Sequence, residues 1–245
     1  MTTRHLRRLV SSASDFLGRT VNAAVITVPT DFTDAQRKAL TAAAKAANLE
    51  VLQFIHEPTA AVLAYSAREG NLSTDKNIVV ADFGGTRSDA AIITSRGGMY
   101  TILATAHDYE LGGHKLDDVL VEYFAKEFQK RNKVDPRDTP RGLAKLKQEV
   151  EWTKKTLSLS STATISIDSL AEGHDFHSNV NRTRYELLSK KVFDQMVKLV
   201  ETAVSKAGLD LLDIDEVSIS SYRLFKAIFL NHRVGHSCRR CITHT

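Results

Sequence analysis

One stretch of the chain combines a carboxylate, paired glycines and the pattern of a buried strand. Residues 77–89 read N-I-V-V-A-D-F-G-G-T-R-S-D. Residues 78–81 form a short apolar run rich in β-branched side chains, as expected for a strand buried on both faces. Asp82 ends this run and Gly84 and Gly85 follow, so a ligand can approach the backbone closely there. Successive N–H groups in such a turn can bind phosphate, and a plain hairpin turn is the alternative interpretation.

The segments before this stretch alternate between helix and strand patterns. Thr33 and Gln36 have the spacing of a capping box, in which each side chain bonds to the other's backbone N–H. Glu57 and Pro58 open a further helix, with the proline at a favourable first position. The predicted elements are a helix at 4–17 stopped by Gly18, a strand at 21–28, a helix at 31–49, a strand at 51–55 and a helix from 57 to Gly70.

The segments after this stretch continue the alternation. Thr183 and Glu186 have the spacing of a second capping box. The predicted elements are strands at 89–94 and 99–105 joined by a turn at 96–98, helices at 116–132 and 142–157 separated by a charged loop at 133–141, hairpin strands at 162–167 and 175–180 with a turn at 171–173, a helix at 183–207 ended by Gly208 and a strand at 216–220. This alternation predicts an α/β fold of mixed sheets flanked by helices.

The composition is that of an ordinary soluble protein with one large or two small domains. The chain has 245 residues, of which 42% are hydrophobic and 25% charged. No apolar run approaches the length of a membrane span, so no membrane contact is predicted. The basic N-terminus has no apolar core behind it, which argues against a secretory signal, and Asp15 argues against a mitochondrial presequence.

The net charge of +4 is a property of the end of the chain. From Ser221 onward there are five basic residues and no acid: Arg223, Lys226, Arg233, Arg239 and Arg240. The preceding 220 residues therefore carry a net charge of −1, which argues against direct, sequence-specific nucleic-acid binding. Both cysteines also lie in this tail, and a body without cysteine suits a reducing, cytoplasmic compartment.

Seven short sequence motifs occur along the chain, and their order is as informative as the motifs themselves. They read V-I-T-V-P-T-D-F-T-D-A-Q-R at 25–37, H-E-P-T-A-A at 56–61, A-D-F-G-G at 81–85, L-G-G at 111–113, K-K-T-L-S at 154–158, I-D-S-L-A-E-G at 167–173 and N-R-T-R-Y-E at 181–186. Together they resemble the DnaK-type seventy-kilodalton heat-shock chaperones, which share the actin-like ATPase (ribonuclease H-like) fold. The resemblance implies an ATP-binding chaperone, with Mg²⁺ as the accompanying metal.

The resemblance also implies which residues bind the nucleotide. They are Asp82, Gly84, Gly85, Thr86, Arg87, Glu57, Gly112, Gly113, Lys154, Lys155 and Ser158. The residues from Asp82 to Arg87 correspond to the family's second phosphate loop, and Glu57 to a carboxylate that helps to place the metal-bound water. The two glycines at 112 and 113 approach the phosphates from the same lobe. The two lysines and the serine match a helix face that contacts the adenosine, although on their own the lysines indicate only a solvated helix face.

The phosphate loop departs from the family pattern D-L-G-G-G-T-F-D. Thr86 replaces a glycine, so its β-carbon is expected to restrict a loop that needs unusual dihedral angles. Arg87 places a cation where a small hydroxyl would order the attacking water, and His107 replaces a usual glycine. Arg87 can hold a γ-phosphate, but ground-state binding alone does not accelerate cleavage. We therefore expect ATP binding with little or no hydrolysis, and no catalytic residue in this chain.

The departures themselves resemble one branch of the family. G-G-T-R-S-D at 84–89 and L-A-T-A-H-D at 103–108 are similar to the atypical heat-shock subunit of the fungal ribosome-associated complex. This resemblance implies a J-domain co-chaperone of the zuotin type as a partner. It also implies contact with the ribosome and nascent chains through that complex.

The resemblance covers only part of the family's nucleotide domain. The family's D-L-G-T-T loop and the lysine that follows it do not occur here, and similarity stops near Ser220. The implied division is lobe I at 1–75, subdomain IIA at 76–112 with 188–220, subdomain IIB at 113–187, and a tail at 221–245 that a splicing or frame artefact explains. An incomplete actin-like fold is therefore expected.

Four other interpretations of the sequence remain. The tail holds a zinc-like group, formed by His232, His236, Cys238, Cys241 and His244, although its spacing is irregular. The D-F-G triplet at 82–84 matches a protein-kinase metal motif, but no H-R-D loop precedes it. Two alternatives to ATP binding with little hydrolysis are an active chaperone ATPase and a truncated product that has no function of its own.

Overall fold

The computed structural model describes residues 1–69, 75–220 and 240–244. The chain separates into two compact units, Met1–Ser73 and Thr74–Thr245. The predicted helix stop at Gly70 lies outside the described residues. So does the zinc-like group, of which only the backbone of Cys241 and His244 is described. The division into lobe I and subdomains IIA and IIB remains a prediction.

The described residues of the first unit form two parallel strands and three helices. These are α1 (Thr2–Leu17), β1 (Ala23–Val28), α2 (Asp34–Lys45), β2 (Glu50–His56) and α3 (Glu57–Glu69). Gly18 ends α1 in the left-handed conformation, with φ of 63°, as predicted. The predicted capping box is present, since Thr33 and Gln36 bond to each other's backbone N–H. Helix α2 is shorter than predicted because the chain turns at Asn48, whose φ is 57°.

The second unit is built on a mixed sheet. Its strands are β3 (Lys76–Phe83), β4 (Ser88–Arg96), β5 (Met99–Asp108), β8 (Glu216–Ser220) and β9 (Arg240–His244), and a separate hairpin is formed by β6 (Thr162–Ala171) and β7 (His174–Asn181). The strand order in the mixed sheet is β5-β4-β3-β8-β9. Strand β3 is antiparallel to β4 and parallel to β8. The strand predicted at 78–81 is buried on both faces, from Ile78 to Ala81. The predicted mixed sheets are therefore confirmed.

Three long helices pack in this unit. They are α4 (Gly113–Asn132), α5 (Pro140–Leu159) and α6 (Arg182–Lys206). Phe176 of the hairpin packs edge-on against Phe124 and Phe128 of α4, at ring-centroid distances of 5.9 and 5.7 Å. These rings belong to a continuous apolar core that includes the sheet face carrying Val79 and Ile92. The core gives the strand ends and the helix starts a rigid support.

Two predicted helix starts differ from the structure. Helix α5 begins at Pro140, two residues early, because the Thr139 hydroxyl accepts a hydrogen bond from the Gly142 N–H at 3.1 Å. The predicted capping box of Thr183 and Glu186 is wrong. Asn181 is the N-cap of α6, and its side-chain oxygen accepts from the Arg184 N–H at 2.7 Å. Among the described residues no helix is both long and apolar enough to cross a membrane.

Candidate functional site

The turn between β3 and β4 brings the predicted phosphate loop to one end of the mixed sheet. Asp82 is exposed at the end of β3, and Phe83 beside it is buried. The Gly84 N–H donates to the Arg87 carbonyl at 2.9 Å, which closes the turn. No residue of this turn has a positive φ. The expectation that Thr86 strains a loop of unusual dihedral angles is therefore wrong, because this turn uses ordinary ones.

The second glycine pair docks directly on this turn. The N–H of Gly113 donates to the carbonyl of Gly84, and the N–H of His114 to that of Gly85, both at 2.9 Å. A β-carbon at Gly112 would lie only 2.6 Å from the Gly85 oxygen. Glycine is needed at 112 because two backbone segments approach too closely for any side chain. The first N–H groups of α4 are thus used by the turn itself.

Two exposed backbone donors remain at the tip of the turn. Gly85 and Thr86 are exposed, and within the described residues their N–H groups have no protein acceptor. A β-carbon built on Gly85 meets nothing within 4 Å. The open side of the turn therefore presents N–H groups to solvent, as an anion-binding turn requires.

Arg87 is engaged by side chains beside the turn. Its Nε lies 2.6 Å from Asp89 Oδ2, and its Nη2 bonds to the other carboxylate oxygen. Its guanidinium also stacks over the Tyr109 ring, 4.9 Å from the centroid. Asp89 lies directly opposite Asp82 on β3 and opposite His107 on β5. The Arg87 charge therefore offsets the repulsion between two carboxylates that face each other across the sheet.

A buried hydroxyl fixes the loop before α4 to the sheet. Ser88, the first residue of β4, is fully buried, and its Oγ donates to the Leu111 carbonyl at 2.7 Å. Leu111 is itself buried in the core. Two sets of contacts therefore hold the glycine segments together. One is the packing of Leu111 in the core with its bond to Ser88, and the other is the backbone bonds from Gly113 and His114 to the turn.

Lys154 is the predicted adenosine-face residue that reaches this site. Its Nζ donates to the Gly113 carbonyl at 3.1 Å and lies 2.7–2.8 Å from both carboxylate oxygens of Asp117. Burial raises the pKa of Asp117, and the hydrogen bond and charge of Lys154 oppose that increase. Lys154 therefore joins α5 to the first turn of α4, next to the turn between β3 and β4.

Lys155, Ser158 and Glu57 were also predicted to bind the nucleotide, and they have different contacts from Lys154. Lys155 lies 2.8 Å from Glu151 on its own helix and 5.2 Å from the Trp152 ring centroid. The Ser158 hydroxyl donates to the Lys154 carbonyl at 3.3 Å, again within the helix. Glu57 is the first residue of α3 and belongs to the first unit.

The residues present suit a magnesium–nucleotide complex better than a metal site made by protein alone. Mg²⁺ is usually held by one or two carboxylates together with substrate phosphates and waters. Asp82 supplies an exposed carboxylate at the turn, with Asp89 opposite it. Within the described part of the chain, no group of three or more acidic, histidine or cysteine side chains is arranged to hold a metal ion.

Several residues at this site were not predicted from the sequence. They are Ser88, Asp89, Tyr109, His114 and Asp117. The spacing of Arg87 and Asp89 offered a signal, because residues two apart share one face of a strand. His114 follows the second glycine pair directly. The distance along the chain between Asp117 and Lys154 left no local signal for that pair.

Comparison with known proteins places these features in a family. The family model described as Hsp70 protein matches residues 1–220. The ribosome-associated complex subunit SSZ1 of Saccharomyces cerevisiae is 54% identical over 220 residues, which are 90% of this chain and 41% of that protein. A heat shock protein 70 homolog of Schizosaccharomyces pombe is 52% identical over 219 residues, 89% of this chain and 38% of that protein.

A further relative is a ribosome-associated molecular chaperone of S. cerevisiae, 37% identical over 212 residues, 86% of this chain and 35% of that protein. The chain thus spans at most 41% of the length of these three relatives. The mixed α/β architecture and the family match confirm the actin-like ATPase fold predicted from the sequence. Because the family model covers residues 1–220, the chain belongs to the Hsp70 family.

Proposed function

We propose that the turn from Asp82 to Arg87 binds the phosphates of ATP within an Hsp70-type chaperone. The observation that carries this proposal is the docking of the Gly112–Gly113 segment on the turn, with the Gly85 and Thr86 N–H groups left facing solvent. Backbone N–H groups held in a rigid concavity favour negative charge at little entropic cost. Family membership supports the same assignment, since the matched region resembles the family's nucleotide domain.

Asp82 is the residue of this turn best suited to a nucleotide-bound Mg²⁺. Its carboxylate is exposed at the end of β3, beside the open N–H groups. When bound, the metal neutralises phosphate charge. The residues of the turn bind the phosphates and orient them against the sheet.

Weak hydrolysis is the second part of the proposal. Phosphoryl transfer depends on groups that position the attacking water and stabilise charge in the transition state. Arg87 stands where the family has a small hydroxyl, and Asp89 and Tyr109 hold its guanidinium. A guanidinium in an ion pair has no proton-accepting atom with which to orient a water. Position 87 therefore provides no group that accepts a hydrogen bond from the attacking water, as the family's hydroxyl can.

We further propose that the protein acts in co-translational folding in the cytoplasm, with a J-domain protein of the zuotin type at the ribosome. The similarity to one relative named as a ribosome-associated complex subunit and another named as a ribosome-associated molecular chaperone supports this role. Sedimentation of tagged protein through a sucrose gradient tests it. Co-migration with ribosomes and with a J-domain protein is expected, and migration only with free protein contradicts it.

Nucleotide binding is tested by NMR with ¹⁵N-labelled protein and Mg-ATP at millimolar concentration. The amide signals of Gly85 and Thr86 should shift in a saturable manner, because these N–H groups receive the phosphate. The amide of Gly97, in the far turn of the same sheet, serves as the internal control. Unchanged turn signals at saturating nucleotide contradict the assignment.

A further inference from the structure

A surface groove lies between α4 and the first two turns of α6. It extends from Val119 to Lys130 on α4 and from Arg184 to Leu188 on α6, and its volume is about 630 Å³. The residues that line it on α4 recur at intervals of three or four positions, so they lie on one face of that helix. At 1.5 Å per residue, this face is about 16 Å long, which is roughly three helical turns.

The floor of the groove is apolar. It is formed by the half-buried side chains of Val119, Tyr123 and Leu188. Val119 and Tyr123 pack against the core of the second unit, so their outer surfaces are held in place. Leu187, next to Leu188, is 64% exposed and extends the apolar surface at the start of α6. A helix that docks in a groove buries its own apolar side chains on a floor of this kind.

The acidic residues at the groove are already neutralised. Glu122 lies 2.7 Å from the Lys126 ammonium and 2.6 Å from the Arg137 guanidinium. Glu127 is paired with Arg131, one turn further along α4. Each carboxylate therefore has a cation of this chain beside it, and neither needs a cation from a partner.

Two cations at the groove differ in this respect. Lys130 and Arg184 are exposed, and within the part of the chain that the structure describes neither forms an ion pair. The Arg184 guanidinium lies over the Tyr123 ring, 5.8 Å from its centroid. Lys130 lies seven residues beyond Tyr123 on α4, which is about 10 Å along the helix axis. The apolar floor therefore has an unmatched positive charge near each end.

We propose that this groove binds an acidic amphipathic helix of a partner protein. Acidic side chains at positions i and i+7 of that helix pair with Arg184 and Lys130, because seven helical residues span the same distance of about 10 Å. Apolar side chains at i+3 and i+4 lie between them and contact the floor. This inference goes beyond the nucleotide site and does not depend on it.

Charge favours this occupant over two others. The segment of the chain from Ser221 onward has five basic residues and no acid, so Lys130 and Arg184 repel it. A second copy related by two-fold symmetry places the same cationic groove against itself, which is also repulsive. An acidic partner is attracted to both cations.

The test uses the purified chain and a synthetic helical peptide of about 18 residues. The peptide carries glutamate at i and i+7 and leucine at i+3 and i+4, and a matched peptide carries lysine in place of both glutamates. Calorimetric titration should show saturable binding of the acidic peptide and binding about tenfold weaker for the basic one. Methyl NMR should show shifts at Val119 and Leu188, with the exposed Leu103 on β5 unchanged as the internal control.

Two double variants test the role of the cations. Lys130→Gln with Arg184→Gln should weaken binding of the acidic peptide about tenfold, since two exposed ion pairs are lost. Arg141→Gln with Lys147→Gln removes the same charge from exposed positions on α5 and should change the affinity by less than about twofold. Leu188→Gln should also weaken binding, because it removes part of the apolar floor.

Several results would overturn the inference. They are no binding of the acidic peptide at millimolar concentration, equal binding of both peptides, an equal loss of affinity in the two double variants, and methyl shifts that bypass the groove. A dimer of the free protein that Leu188→Gln abolishes would assign the groove to a second copy instead. Tighter binding of single-stranded RNA than of the acidic peptide would assign it to nucleic acid.

Discussion

Arg87 and Asp89 form a two-point ion pair at the edge of the turn between β3 and β4, with Nε of the arginine 2.6 Å from Oδ2 of the aspartate. The pair neutralises a carboxylate that lies directly opposite Asp82. Both side chains are more than a quarter exposed, so the pair contributes about 1 kcal/mol or less to folding. Under the proposed function, its main effect is on the charge that a phosphate would meet at this turn.

Arg87→Thr is expected to weaken ATP binding about tenfold, because the Asp89 charge is then left unpaired beside the phosphates. The double variant Arg87→Thr with Asp89→Asn removes both charges and should recover most of the lost affinity. Calorimetric titration of both variants measures the coupling. An affinity loss in the double variant as large as in the single one shows that Asp89 is not the cause.

Gly112→Ala is expected to lower the free energy of unfolding by about 2 kcal/mol, because its β-carbon would lie 2.6 Å from the Gly85 oxygen. Gly85→Ala is the matched control, since its β-carbon meets nothing within 4 Å. Urea unfolding should show a change below about 1 kcal/mol for Gly85→Ala.

The same two variants separate stability from binding. The methyl group of Gly85→Ala lies on the open side of the turn, so this variant should fold normally and lose nucleotide affinity. Unchanged affinity in stable Gly85→Ala would argue that the nucleotide does not approach this face.

Lys154→Met is expected to destabilise the protein more than Asp117→Asn does. Burial raises the pKa of Asp117, so its ionised form is less favourable in the folded than in the unfolded chain. Removing Lys154 leaves that charge uncompensated, at about 1–2 kcal/mol, whereas removing the Asp117 charge relieves the burial penalty. Urea unfolding at pH 7 compares the two.

The raised pKa of Asp117 also sets the direction of a pH effect. Between the ordinary carboxyl pKa and the raised value, the folded chain holds a proton that the unfolded chain has released. This contribution to stability falls as the pH rises through that window. The stability of Asp117→Asn relative to wild type should therefore increase from pH 4 to pH 7, and a constant difference would contradict the assignment.

Asn181→Ala is expected to lower the free energy of unfolding by about 1 kcal/mol, because Asn181 caps the 25-residue helix α6. Thr183→Ala, at the position favoured by the sequence pattern, should change it by less than about 0.5 kcal/mol. Urea unfolding compares the two variants. Equal effects would show that the cap contributes nothing specific.

The sequence predicted the elements well where a local pattern determines them. Alternation and turn glycines predicted the strands, and the capping box of Thr33 and Gln36 formed as predicted. The cap of α6 was misassigned because Thr183 and Asn181 are both good caps and the pattern cannot rank them. The folded chain selected Asn181, which ends strand β7.

The backbone of the candidate site was anticipated from the sequence better than its side-chain contacts, and its ligand stays a prediction. Glycine pairs mark close approach, so both turns were found from the sequence. The sequence did not predict the ion pair of Lys154 with Asp117, because the packing of α4 against α5 brings these two residues together. The prediction that Thr86 restricts the loop was also wrong, because Thr86 has no positive φ. Glycine is required instead at position 112, where a β-carbon would clash with the Gly85 backbone.

The central claim, that this turn holds ATP without cleaving it efficiently, is tested by one combined measurement. Purified protein is titrated with Mg-ATP, and phosphate release is followed in the same samples beside an Hsp70-family protein that turns over ATP measurably. We predict saturable binding with phosphate release at least about tenfold slower than in that reference. Release at the rate of the reference protein, or no binding at millimolar nucleotide, would contradict the account.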